Sequence, residues 1–566
     1  TVVGTGGQGA GANYGVQISD ASFTTHERGA IAITGQGGNG GAGNTGVYIT
    51  NLGVIESKGL SDGVTPSSAT ITIAGTGGSG TGSNNGVNSS GTSEGITSVD
   101  GAISIIGQGG AGTLGSSNGV SLTSLGAIRS TGTSQQAATI TVHGSGGTSK
   151  SGSYGVAIGA TSFNSFVGDI SITGTGGTGD LELSTSTTLG VSLTNVDIAS
   201  LGTLENATGS PATITIDGTG GVASRQNYGT NLEQSAVSSV VGNINIRGEG
   251  GTASAGDIGV RVRTTELTST GEGSQAANIL FSSNGGVDAA GVSLSTIDGN
   301  VSFLGLNGSF NYASGTMTSN GLGKLTFDGG DVRVGGDISS GFGDIVVSGS
   351  SIFQTSGLIE STGTGSGAAK ILIGDESTHS IRLGGDLSSF DGDIEIANHI
   401  TDASTGAGYV WIYGNITSTG TDKVDAAKLT INGTGADGQT GVYFGGSNQI
   451  ISSVVGDISI TGTGGNSTSV GVRGISLERG ASLASTGTGN DAAKITVMGT
   501  GGAGVSSNFG VYLSDDNSSI TSFRGDISVT GVGGAGTGGS NTGVYLLKGS
   551  ISSTGEGTTT EDGEIL

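Results

Sequence analysis

The chain of 566 residues contains no cysteine, two prolines, one tryptophan and charged residues at only 11%. The missing cysteine excludes a disulfide framework and any thiolate metal site. The two prolines, against 120 glycines, exclude a collagen-type triplet. Basic residues are also scarce. With 19 Lys and Arg against 44 Asp and Glu, the formal charge is −25; a nucleic-acid groove or an anionic membrane surface needs basic patches, so both are disfavoured and solubility is the consequence. No apolar run approaches the roughly 20 residues of a spanning helix. The first residues, "TVVGTGGQG", carry no basic or apolar leader and open inside a repeat.

What is present is a repeat. Glycine, serine and threonine dominate, yet Ile, Val and Leu arrive in regular clusters able to bury a continuous core, which predicts order rather than a polar tract. "GDISITGTGG" stands at 168–177 and again, unaltered, at 456–465. Variants such as "IAITGQGG" at Ile31, "ITIDGTGG" at Ile214 and "ISVTGVGG" at Ile527 bring the number of units to about 18. Each phrase alternates apolar and polar, the period of a strand. A glycine loop follows, then a second strand announced by Gly-Val ("YGVQI" at 14–18, "FGVYL" at 509–513) and a third short apolar stretch. No stretch has a helical period.

Three short strands and an apolar side that one unit cannot bury alone predict an all-β fold. It is a parallel β-solenoid of about 18 three-strand coils, spaced about 4.8 Å apart along an axis of roughly 85 Å. Coils opening after Gly-Asp, Gly-Ala or Gly-Asn are longer than the next, which opens after "AAT", "AAK" or "AAN", so the repeat is two coils. Between 279 and 428 the units shrink and lose the glycine loop. The expected organisation is one solenoid in three segments, 1–278, 279–428 and 429–566, with glycine-rich loops along one edge of the outer two.

The residue before each phrase reads Asn243, Asn278, Asn300, Lys324, Asp344, Lys370, Asp393, Lys428, Asp457, Lys494, Asp526. In register these form one column, an asparagine ladder followed by alternating lysine and aspartate, and a slip of one coil would set like charges together. This structural ladder is the expected role of those residues.

Other candidates yield no chemistry. The "GTGG" loops recur and precede strands, whereas phosphate loops open a helix once per domain. His26, His143, His379 and His399 fall in unrelated parts of their units, so no metal set is assigned. Asp391 and Asp393 flank a turn without a clear catalytic partner. Tyr409, Trp411 and Tyr413 alternate in "YVWIY", where strand packing accounts for them and sugar stacking is the alternative. The Gly-Asp of "RGD" at 524–526 is the recurring junction. The sequons at 206–208, 415–417 and 466–468 are a by-product of a Ser- and Thr-rich composition. No catalytic residue, metal or cofactor is expected, and the chain reads as a non-enzyme.

The tandem "GDISITGTGG", "GVYL" and "STGTGNDAAKITV" grammar resembles the large secreted β-helical proteins of bacteria, the filamentous-haemagglutinin-like adhesins and autotransporter passengers. The resemblance implies a right-handed helix, export to the cell surface and no cofactor. The expectation is a rod segment of an extracellular fibrous or adhesive surface protein. The alternatives are a self-assembling sheath or surface-layer filament and a polysaccharide-acting enzyme. The chain opens mid-phrase and "GEIL" at 563–566 begins another coil, so end-to-end or side-by-side self-association is expected among its partners, with a glycan or a cell-surface protein as further candidates. Neither nucleic acid nor membrane insertion is expected.

Overall fold

The computed structural model describes residues 1–566 except 27–28, 42, 52, 60–68, 184–185, 204, 206–209, 253–257, 306–307, 401–407, 469–470, 556–563 and 566. The chain is an all-β parallel solenoid, and among the described residues the only helix is a 3-10 turn, Gly273–Gln275. It divides into two compact units, Thr1–Ser309 and Phe310–Leu566, a boundary inside the short-coil segment 279–428.

In the first unit the opening strand of a coil pairs in parallel with its equivalent in the next. Ile31 lies against Ile71, which lies against Ile103, Ile140 and Ile170 in turn. The series continues through Ile214, Ile244 and Ile279 to Val301. In the second unit Leu325, Ile345, Ile371, Ile394, Leu429, Ile458, Ile495 and Ile527 form the matching series. The two copies of the ten-letter phrase give strands Ile170–Thr175 and Ile458–Thr463 with the same alternation of buried and outward residues. Identical letters give identical local structure because each coil offers the strand the same inner face and the same neighbour.

The core is the stack of inward residues. Ile33, Ile73, Ile172 and Val191 are fully buried in the first unit, as are Val410, Ile412, Phe444 and Leu513 in the second. Phe281 and Phe303 stack face to face at 4.4 Å inside the first unit. Each fully buried aliphatic side chain contributes about 1.5–3 kcal/mol by leaving water, and the coil repeats that contribution.

Two glycine contacts explain the spelling of the repeat. The loop returns so close to the first strand that a Cβ on Gly174 would stand 2.1 Å from the carbonyl oxygen of Gly190; the glycine ending "ISITG" and the glycine of Gly-Val thus require each other. A Cβ on Gly392 would stand 1.7 Å from the carbonyl oxygen of Ala369 in the preceding coil, and one on Gly168 1.8 Å from that of Ala138. The Gly-Asp turn nests on the Ala-Ala turn, whose second alanine is fully buried. This contact produces the two-coil period.

The glycine-rich loops of the first unit are ordered as a ladder of their own. Gln8–Gly9, Asn39–Gly40, Ser79–Gly80 and Ala111–Gly112 form a separate four-stranded parallel sheet, prolonged by single bridges through Thr148, Thr178 and Val222. Beneath it runs a chain of amides, fully buried at Asn44 and Asn84. Asn13 Nδ2 donates to Asn44 Oδ1 at 2.8 Å, and Asn44 Nδ2 donates to Asn84 Oδ1 at 2.9 Å.

Candidate binding stripe

The column before each phrase acts first through the backbone. Asp344 Oδ1 accepts the N–H of Lys370 in the next coil at 3.0 Å, Asp393 that of Lys428 at 3.0 Å, and Asp457 that of Lys494 at 3.0 Å. Asn243 and Asn278 do the same for Asn278 and Asn300, at 3.0 and 2.9 Å. Lys324 precedes Leu325, whose N–H reaches the Asp344 carbonyl at 2.9 Å. The ammonium groups of Lys370 and Lys494 reach the following aspartates, Asp393 at 3.7 Å and Asp526 at 3.0 Å. The hydrogen bond and charge of Asp526 raise the Lys494 pKa above its ordinary value. That same hydrogen bond, with the Glu564 N–H, holds Asp526 below the usual carboxylate range. Aspartate suits alternate coils because its short side chain caps an amide one coil away while offering a second oxygen to lysine.

A second column escaped the sequence reading. The third strand ends on a buried hydroxyl in coil after coil: Ser57, Ser98, Ser130, Ser165, Ser200, Ser239, Ser269 and Thr296 in the first unit. In the second unit the position runs from Ser319 through Ser340, Ser361, Ser389 and Ser418 to Ser522. Several donate to the carbonyl that turns the corner, as Ser98 does to Gly101 at 2.5 Å and Ser418 to Ala427 at 2.8 Å. The signal was there, a serine three residues before the junction Gly at 168, 343, 392 and 456 and directly before the "TGTG" turns at 362 and 486, but it is hard to separate from a serine-rich background.

The remaining candidates have local partners. His26 is exposed, His143 Nδ1 meets Thr173 Oγ1 at 2.9 Å, the His379 carbonyl accepts from Asn398 at 2.8 Å, and His399 Nδ1 lies 3.3 Å from the Glu376 carbonyl. Asp391 is buried and accepts the Gly365 N–H at 2.7 Å, which fixes a turn. Asp526 of "RGD" is held by Lys494, and Arg524 donates to Asn490 at 3.2 Å. The sequon at 206–208 lies outside the described residues; Asn466 is exposed beside an open hollow of about 460 Å³ lined by Asp437, Gly438, Ser467 and Thr468. Among the described residues no group of three or more His, Asp or Glu gathers as a metal site, and no helix is long and apolar enough to cross a membrane.

Arginine and aromatic side chains gather on the outward side of the second strand in the second unit. Register aligns Arg333, Phe353, Arg382, Trp411 and Tyr443 in a single column across consecutive coils. Arg382 lies 5.1 Å from the Phe353 ring centre and 5.0 Å from that of Tyr413; Arg333 lies 5.9 Å from Phe353. Tyr409 stacks on Trp411 at 4.3 Å, and Tyr443 meets Trp411 edge-on at 5.9 Å and Tyr413 at 6.1 Å. The aromatic rings of the column are half-buried and the two guanidinium groups exposed. Burial, more than the nearby Glu478 carboxylate, raises the Tyr443 phenol pKa. The trio in "YVWIY" is therefore part of a longer stripe that crosses coils.

Compared with protein-family models, with curated proteins and with solved structures, the chain has no match.

Proposed function

We propose that this chain is a rod segment of a large extracellular fibrous or adhesive surface protein, whose work is stiffness, reach and the presentation of its outer face. The observation that carries this is the register of the opening strands within each unit: the same position pairs with its equivalent from coil to coil, so added chain becomes added length. At about 4.8 Å per coil, the ten opening strands of the first unit extend roughly 45 Å. A low-charge outer face of Ser, Thr, Asn and Gly, and a net charge of −25, suit an exposed, soluble surface. The "GDISITGTGG" grammar, which resembles secreted bacterial adhesins and autotransporter passengers, supports the same reading. Antibodies raised against the purified chain should label intact cells that make the parent protein. Labelling that appears only after the cells are broken would overturn the surface assignment.

A further inference from the structure

We propose that the stripe formed by Arg333, Phe353, Arg382, Trp411 and Tyr443 is a binding site for an acidic polysaccharide, its sugar rings packing on the outward side of the half-buried aromatic rings and its carboxylates on the two guanidinium groups. The inference deepens the surface reading above by naming what the rod would hold.

In a chain where acids outnumber bases by more than two to one, other arginines on or beside the second strands pair with acids: Arg261 with Glu233 at 3.6 Å, Arg263 with Asp288, and Arg473 with Glu478. Among the described residues, Arg333 and Arg382 have no carboxylate within 4.0 Å. They lie instead over aromatic rings, at 5.0–5.9 Å from the ring centres, and both residues are exposed, so their N–H groups remain accessible. An accessible, unpaired fork is complementary to a carboxylate, which it binds bidentately.

The rings supply the second requirement. Half-buried aromatic rings give the C–H groups of a sugar an apolar surface to pack on, and they exclude water from the adjacent ion pair. Successive positions lie one coil, about 4.8 Å, apart, near the rise of an extended pyranose chain, so one polymer contacts several coils without bending. Single-stranded nucleic acid also uses rings and arginine, but requires a positive groove along its phosphates. Here the stripe itself holds only two cations, set in a strongly acidic chain. A sparsely charged polyuronate fits that number better than a phosphate backbone.

The test is titration calorimetry of the whole purified chain with polygalacturonate, dextran and oligo(dT). Binding of polygalacturonate that weakens as salt rises, with little for the other two, is the expected result. Arg382→Ala and Trp411→Ala should each weaken it about tenfold or more, and Arg382→Lys should recover only part of the loss because the fork is gone. Ser192→Ala, at the same strand position of the first unit, should leave it unchanged, and circular dichroism of each variant checks the fold. Equal binding of dextran would show that the arginines read no charge. Tighter binding of oligo(dT) would make the site a nucleic-acid surface, and no binding of any polymer would end the proposal; none of these outcomes bears on where the parent protein resides.

Discussion

Through residues 1–309 the outward middle position of the second strand reads Gln17, Tyr48, Asn88, Ser121, Ala157, Ser192, Asn231, Arg261, Asp288. Through residues 310–566 the same position reads Asn311, Arg333, Phe353, Arg382, Trp411, Tyr443, Ser476, Tyr512, Tyr545. The inward neighbours barely differ: Leu193 in the first unit and Ile412 in the second hold the same place and both are fully buried. What the difference teaches is that the coil constrains its inside and leaves its outside free. Both units carry glycine loops, but among the described residues only in the first do these loops form a separate four-stranded sheet, while the second sets aromatic and arginine side chains on its outer face.

The sharpest way to break this contrast is through the core. Leu193→Ala and Ile412→Ala should each cost about 2–5 kcal/mol, by lost burial plus the cavity left behind, and by similar amounts in both units; urea unfolding followed by circular dichroism measures both. A large disparity between them would mean that the interiors are not equivalent. Next in size is the amide chain beneath the loops of the first unit. Asn84→Ala removes the acceptor for Asn44 at 2.9 Å and the donor to the Ala111 carbonyl at 2.9 Å, leaving buried groups unpaired at a cost of about 1–3 kcal/mol. Amide exchange should quicken in residues 39–41 and 79–81 first.

Smaller still is the stripe. Arg382→Ala should cost only about 0.5–1 kcal/mol, since its ring contacts are solvent-facing. Trp411 is the only tryptophan, so its emission reports the site directly, and loss of the cation beside Tyr413 should change its acrylamide quenching while unfolding stays nearly the same.

The least effect belongs to the charged column, and its sign follows from the shifts. Asp526 is held below its ordinary value, so its contribution is present above the ordinary carboxylate pKa of about 3.9 and is lost as pH falls through the depressed one. Lys494 is held above its own, so its contribution is complete below about 10.4 and is lost as pH rises through the elevated value. Between these limits the pair should be flat with pH. Asp526→Asn should lower the urea midpoint slightly near neutrality, and the difference from the parent should vanish in acid; a difference that persists there would mean the side chain matters by shape alone.

Much of this was legible in the letters. Alternation in "ISITG" fixed which residues face inward, because a strand has no other period, and the recurring residue before each phrase located the column that caps the next coil. Other features were hidden for physical reasons. The cap from Asp393 to the Lys428 amide looks in sequence like a charge pair alone, because a backbone donor has no letter of its own. The serine column hides in a serine-rich chain. The stripe is dispersed by loops of unequal length, so Arg382 and Trp411 become neighbours only once each coil has closed.

The sequence by itself determined the strand period, the two-coil repeat and the buried face, since all three depend on contacts between residues near in the chain or on a position that repeats. Only the tertiary structure decided which outward side chains stand together and which charges find partners. Those depend on where a loop lets the next coil land, and the strands record the landing place only when they pair.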